Sequence, residues 1–295
     1  TKTIVKRGVT ELVTPGVSYN DKILESNESN YLASLYHNDG SWGIAFLDMS
    51  TGDFRCTEGE LPLIQKMIAS FRPKEYVFSK AQSKRISEHF GQFKSQQLLE
   101  DWVYQYAYAE ERLQKQFKTQ NLKGFGIQSL EAAIIASAGA LHYLEQTHHH
   151  QTAHIQEIKR IDDSQFVWLD GFTIRNLELV RPIYPEGKSL LEIIDQSTTP
   201  MGSRLLQQWM LLPLKDLAAI QNRLETVAVF VSDLELLSGV QRELKEVGDL
   251  QRLCSKVALR RINPKELLQL SRSLKALESL KSLLGKSNAP RLQAQ

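Results

Sequence analysis

An α/β domain followed by an all-α bundle is the fold this chain predicts, and three observations predict it. Short extended runs, separated by turns of Asn, Asp and Gly, fill residues 31–57. Helical and extended periods then alternate through residue 99. From Ser189 onward helix starts recur and strand signals vanish.

Val5-Lys-Arg7-Gly-Val-Thr-Glu-Leu-Val13 reads as a strand because it is rich in β-branched residues, and Thr14-Pro15-Gly16 stops it. Tyr31–His37, Trp42–Met49 and Gly52–Thr57 follow as strands. Asn38-Asp39-Gly40 and Ser50-Thr51-Gly52 between them are hairpin chemistry, since Asn, Asp and Gly tolerate positive φ. Leu61, Ile64, Ile68 and Phe71 then recur at helical spacing. Pro73 ends that helix, because the residue before a proline is steered away from the α conformation. Glu75–Ser79 reads as a fourth strand, Ser83–His89 as a short helix and Phe93–Leu99 as a fifth strand. Ser129 is the expected N-cap of a helix through Gln146, whose Ala132, Ala133, Ala136, Ala138 and Gly139 permit close approach to a sheet.

In the second half the caps are explicit. Thr199 precedes Pro200, and a proline at the first helical position gives up an N–H that has no partner anyway. Met201, Leu205, Trp209 and Leu212 line one face of that helix, and Pro213 closes it. Asp216 caps a helix with the stripe Leu217, Ile220, Leu224, Val227 and Val231. Asp233 caps one with Leu237, Val240, Leu244 and Val247, and Asp249 a short one with Leu250, Leu253 and Val257. Asn263, Pro264 and Glu266 form a capping box ahead of Leu267, Leu270, Leu274, Leu277 and Leu284. Each stripe is expected to be buried against a neighbouring helix, giving a bundle.

Composition narrows the function classes. With 36 Lys and Arg against 34 Asp and Glu, the net charge of +2 lacks the basic excess of a domain that grips DNA unaided. No apolar run reaches the ~20 residues of a membrane span. Cys56 and Cys254 stand far apart with no CxxC, which argues against a zinc site or disulfide and for a reducing cytoplasm. No Gly-x-x-x-x-Gly-Lys-Ser/Thr phosphate loop occurs. The start, Thr1-Lys-Thr-Ile-Val-Lys6, reads as that of an internal segment.

Two strings stand out: Leu169-Asp170-Gly171-Phe172-Thr173-Ile174-Arg175-Asn176-Leu177-Glu178-Leu179, and Asp195-Gln-Ser-Thr-Thr-Pro-Met-Gly-Ser-Arg204-Leu-Leu-Gln-Gln-Trp209. In order and spacing they resemble the entry to the helical core of the MutS DNA mismatch-repair family. Val13-Thr14-Pro15-Gly16, the hairpin Gly43–Phe54, Leu250-Gln-Arg-Leu253 and Asn263-Pro264-Lys265-Glu266-Leu267 resemble it too. The likeness is weak over 80–125 and strong over 166–217. Ser197 departs from the more usual Thr, and Gly171-Phe172 from a commoner small pair.

The resemblance implies the end of a mismatch-recognition domain at 1–13, a ribonuclease-H-like connector domain at 14–150, and the N-terminal part of a helical core (lever) domain at 151–295. It implies that this segment couples mismatch recognition to an ATPase and clamp, offers a surface to MutL, and performs no catalysis. ATP and Mg, mismatched double-stranded DNA, MutL and a homodimer belong to the full-length family member. This segment carries no cofactor or membrane partner in that reading and is expected to be monomeric and cytoplasmic.

The chemical candidates divide on their surroundings. Asp48 sits where a ribonuclease-H-like nuclease places an acid, but no later carboxylate stands out as its metal-binding partner, and stabilising the hairpin turn is the preferred role. His142, His148, His149, His150 and His154 lack a Cys nearby and read as a solvated linker rather than a metal site. Asp170, Thr173, Arg175 and Asn176 are expected to form a polar clasp, with Asp170 and Thr173 bonding backbone, Arg175 pairing with a carboxylate and Asn176 closing a turn. Thr199 is the cap, Gly202 allows close helix contact, and Arg204 is expected to pair with Asp195 or Glu192. Lys80, Lys84 and Arg85 form one basic concentration; Arg252, Lys256, Arg260, Arg261 and Lys265 form another. Arg252, Lys256, Arg260 and Arg261 are candidate DNA-backbone contacts, with a solvated helix face as the preferred reading. Tyr104, Tyr106 and Tyr108 alternate as in half-buried strand or loop packing. Two rival functions stand beside linkage: a metal-dependent nuclease resting on Asp48, and a free-standing adaptor protein.

Overall fold

The computed structural model describes residues 14–18, 24–148 and 152–285. These form two compact units. One is built on a sheet and takes the described residues of 1–23, 30–60 and 73–160. The other is helical and takes 24–29, 61–72 and the described residues of 161–295. The strand and domain end expected over 1–13 lie outside the described residues, as do His149 and His150.

In the sheet unit β1 (Tyr31–Asn38), β2 (Ser41–Asp48) and β3 (Asp53–Gly59) form an antiparallel meander as expected. Gly52 closes the second hairpin at φ +77°, which only glycine adopts without strain. The next element, α1 (Leu61–Phe71), belongs to the helical unit. Arg72 leaves the helical region before Pro73, at φ +50°. β4 (Glu75–Ser79) pairs parallel to β1, and after α2 (Ser83–Phe90) β5 (Gln96–Leu99) pairs parallel to β4. α3 (Tyr106–Phe117), α4 (Glu131–His148) and the short β6 (Lys159–Arg160), parallel to β3, complete the unit. The strand order is β5-β4-β1-β2-β3-β6.

The small residues of α4 work as expected. At Gly43 in β2 any Cβ would lie 2.1 Å from the backbone carbon and oxygen of Ala132, so the helix rests directly on the strand. In the strands of this sheet Leu32, Leu35, Ile44, Phe46, Leu47, Phe54 and Phe78 are fully buried. Ser129 is not the cap: the helix begins at Glu131, and the first-turn N–H of Ala133 donates to Glu58 Oε2 of β3 at 3.1 Å. A carboxylate 75 residues away satisfies the donor that local sequence assigned to a serine. The alternating tyrosines are not a strand. Tyr104 lies in a 3₁₀ turn, stacked on Tyr36 and hydrogen-bonded with Ser34, while Tyr106 and Tyr108 start α3.

The helical unit continues with α5 (Gly171–Asn176), α6 (Leu190–Ile194), α7 (Pro200–Leu211), α8 (Leu217–Ser232), α9 (Leu234–Leu244), α10 (Leu250–Ala258) and α11 (Pro264–Gly285). Each expected cap does its work: Thr199, Asp216, Asp233 and Asp249 accept from backbone N–H groups of the first turn, and Asn263 and Glu266 bond each other's backbone. Ser189 and Glu192 form a further capping box that opens α6. Val247, Ala276 and Leu280 make a small buried cluster, joined by Met201, Val240, Leu244 and Leu250.

The expected stripes fare differently. On α8 Leu217 and Val231 are 67% and 69% exposed, and Leu224 and Val227 are exposed as well. On α11 Leu267 and Leu274 are exposed, while the buried face runs through Ser273, Ala276 and Leu280. Helical period fixes which residues share a face; it does not supply the neighbour that covers it. Among the described residues no helix is long and apolar enough to cross a membrane.

Candidate functional site

Among its described residues the helical unit buries four basic side chains, Lys66, Arg204, Arg252 and Lys256, and two clusters hold three of them. In the first, Arg204 of α7 meets Asp249 at the N-cap of α10. Its Nη1 and Nη2 donate to Asp249 Oδ2 and Oδ1 at 2.7 and 2.8 Å, a two-pronged ion pair. The same guanidinium donates to Gln251 Oε1 at 2.7 Å and to the Ser26 carbonyl at 2.8 Å. Arg252, one turn into α10, donates through Nη2 to the carbonyls of Glu25 and Glu28, at 3.0 and 2.9 Å. Arg204 was expected to pair with Asp195 or Glu192 and does not. Asp195 instead accepts from Ser197 N at 2.9 Å, and Glu192 is held in its capping box with Ser189.

In the second cluster the side chain of Lys66, on α1, is fully buried. It pairs with Asp163, and its Nζ lies 4.5 Å from the centre of the Trp168 ring. An ammonium removed from water needs a counter-charge, which Asp163 supplies, and the electron-rich face of Trp168 adds to it.

The conspicuous string 169–179 forms a capped turn. Asp170 Oδ1 accepts from Thr173 N at 2.7 Å to start α5, and that bond, with others from Thr173 and Phe172, holds its carboxyl below the usual range. Ile174 is buried, whereas Arg175 and Asn176 are exposed. Arg175 has no ion pair among the described residues, contrary to expectation. The chain then reverses at Glu178, at φ +47°, whose carboxylate accepts from Ile183 N at 2.6 Å. Thr199 Oγ1 accepts from Gly202 N at 3.2 Å. A Cβ at Gly202 would meet Ser197 and Thr199 at 3.3 Å, so this glycine makes room for its own cap turn and not for a second helix.

The basic candidates separate. Arg252 and Lys256 are only 6% and 8% exposed; the first binds the 25–28 carbonyls and the second pairs with Glu266 at 2.6 Å. Neither faces solvent, so the expectation that they lie on a solvated face or meet DNA phosphates is corrected. The amphipathic period of α10 placed them correctly on one face but could not tell that this face turns inward. Arg260 is exposed at φ +54°, and Arg261 is half-buried. Lys80 pairs with Glu100, and Arg85 contacts the His37 ring at 2.8 Å.

In the sheet unit Asp48 is fully buried and serves its own hairpin. It accepts from Ser50 N and Oγ at 2.9 and 2.7 Å and from Asn30 N at 3.0 Å. Asp53, directly across the ladder, takes the Tyr31 hydroxyl at 2.6 Å and Arg55 at 2.8 Å. Burial and the Asp53 carboxylate push the Tyr31 phenol well up. Among the described residues no three metal-ligating side chains converge. Of the histidines expected to form a solvated linker, His142 and His154 instead pack and bond within the sheet unit, while His149 and His150 lie outside the described residues. α4 runs on through His148, His142 meets Tyr108 at 2.8 Å, and the half-buried His154 shares a hydrogen bond with the Met49 carbonyl at 2.8 Å. Burial lowers the pKa of both His142 and His154. These groups can brace and orient backbone; none is a nucleophile beside a base.

Comparison with known proteins agrees with the two-part organisation. The family model described as MutS domain II matches residues 30–156, and that of MutS domain III matches residues 172–295. Among curated proteins, the DNA mismatch repair protein MutS of Cytophaga hutchinsonii is 48% identical over 283 residues, covering 96% of this chain and 33% of that protein. The protein of the same name from Parabacteroides distasonis is 46% identical over 292 residues, covering 99% and 34%. That of Flavobacterium psychrophilum is 48% identical over 287 residues, covering 97% and 33%. The chain spans about a third of the length of these relatives.

Proposed function

Because this chain belongs to the MutS family, through consecutive matches to its domains II and III, we propose that it supplies mechanical linkage in a DNA mismatch-repair protein. In this reading residues 14–150 are the connector, 151–295 are the first part of the core, and 1–13 end the mismatch-recognition domain. The segment carries the state of the mismatch reader to an ATPase and clamp and offers a surface to MutL. The order β5-β4-β1-β2-β3, with an antiparallel meander followed by parallel strands, supports a ribonuclease-H-like connector.

One observation carries the reading: buried charges in the helical unit, Arg204, Arg252, Lys66 and Lys256, pair with carboxylates or hold backbone instead of facing a ligand. A linkage needs elements of defined shape and no reactive centre. ATP and Mg have no phosphate loop in these 295 residues and belong, in this proposal, to the rest of the protein. So do mismatched DNA and the homodimer.

The test is direct. The purified chain should hydrolyse no ATP above background and bind DNA weakly. That binding should weaken with salt and be equal for paired and mismatched duplexes. Nucleotide turnover that co-purifies with the chain, or Mg-dependent DNA cleavage abolished by Asp48→Asn, would overturn it.

A further inference from the structure

Residues 24–29 precede β1 in sequence, yet they pack as part of the helical unit. Arg204 holds the Ser26 carbonyl and Arg252 those of Glu25 and Glu28, from two different helices. Asp249 stands at the centre of this arrangement. Its Oδ1 and Oδ2 fix the plane of the Arg204 guanidinium, and Oδ1 also caps α10 by accepting from Arg252 N at 3.3 Å. A guanidinium is a flat fork, so once two prongs lie on a carboxylate the direction of the remaining N–H groups is set. Without the carboxylate, Arg204 would keep a buried charge with no counter-charge, and only Gln251 would be left to aim it at Ser26.

We propose that Asp249 is a latch: by orienting Arg204 it fastens residues 24–29 to α7 and α10, and opening the Asp249–Arg204 pair releases that segment as a local unit while the helices stay folded. Asp249 is thus a positioning residue. The inference concerns the folded chain alone and stands apart from the linkage role, so either can fail without the other.

Asparagine separates the two duties of Asp249. It caps a helix as well as aspartate does, but it cannot take the two-pronged ion pair. Protease Glu-C cuts after Glu25 and Glu28, and the carbonyls of both residues must leave Arg252 for the bond to enter the protease. In Asp249→Asn the initial cutting rate at these two bonds should rise by about tenfold or more, since local opening governs cleavage. Helical circular dichroism and cutting after Glu235 in α9 should stay as in the unaltered chain. Amide exchange should speed up in residues 25–29 and not in α10. Arg252→Lys, which leaves the Asp249–Arg204 pair intact but removes the Nη2 group that two carbonyls share, should raise the rate less, by about threefold. Unchanged cutting in a folded Asp249→Asn chain would overturn the proposal. So would opening of α10 together with the segment, because the latch would then be inseparable from the fold.

Discussion

The two units are held together by different means. The sheet unit has a large apolar interior in which Phe46, Phe54, Phe78, Ile44 and Leu47 are fully buried. Its polar residues sit within that apolar packing: buried Asp48 serves its own hairpin, while half-buried Glu58 and His154 tie β3 to α4 and the 152–158 segment to Met49. The helical unit has a small apolar cluster around Val247, Ala276 and Leu280 and much exposed apolar surface on α8 and α11. What fixes its geometry is a set of helix caps and long-range charged contacts. Arg204 reaches Asp249, and Lys66 reaches Asp163 across 97 positions. The contrast teaches that a packed core tolerates loss of any one polar group better than a capped, pinned bundle does.

That comparison can be broken in order of expected effect. Arg204→Met should be the most damaging single change. The partly buried Asp249 then keeps only the more distant Arg252 guanidinium, at 3.7 Å, as counter-charge, and the Ser26 carbonyl loses its donor. The cost should be about 3 kcal/mol. Urea unfolding that reports the helical unit separately would measure it, and a loss under about 1 kcal/mol would show that the pin matters little. Gly43→Ala should follow in the sheet unit, at up to about 3 kcal/mol, since the backbone of Ala132 must move to admit a methyl group. A thermal midpoint close to the unaltered protein's would mean that α4 does not rest on β2 as described. Asp48→Ala comes next, at about 2 kcal/mol, for the N–H groups of Asn30 and Ser50 left unsatisfied.

A pH effect should be smaller and confined to the sheet unit. Burial lowers the His154 pKa below its ordinary 6.5, so the unfolded chain takes up a proton that the folded one resists. The His154 contribution is therefore complete above 6.5 and is lost as pH falls towards the folded value. Between about pH 7.5 and about pH 5.5 the sheet unit's midpoint should drop, and His154→Gln should lessen that drop. An identical drop in both proteins would remove the histidine from the account. Leu224→Ser on α8 should be the mildest change, within about 0.5 kcal/mol, because the side chain is already exposed.

The division between what sequence revealed and what it hid follows the range of the forces involved. Thr199, Asp216, Asp233, Asp249 and Asn263 were readable because a cap is a bond across three residues. The hairpins at 38–41 and 48–53 were readable for the same reason. α3 was not, since Tyr104, Tyr106 and Tyr108 imitate a strand's period at the point where a helix begins. The partners of Arg204, Arg252 and Lys256 were hidden as well. Amphipathic period gives a face but no neighbour, and the neighbour decides whether a basic residue meets solvent or a carbonyl.

The most direct test of linkage replaces the matching third of the Cytophaga hutchinsonii relative with this chain and reads the mutation rate of a strain lacking its own mismatch-repair protein of this family. The unaltered graft should lower that rate. A graft carrying Arg204→Met, present at equal level in the cell, should not. Equal repair by both grafts would contradict the claim that this segment's internal pins carry the coupling.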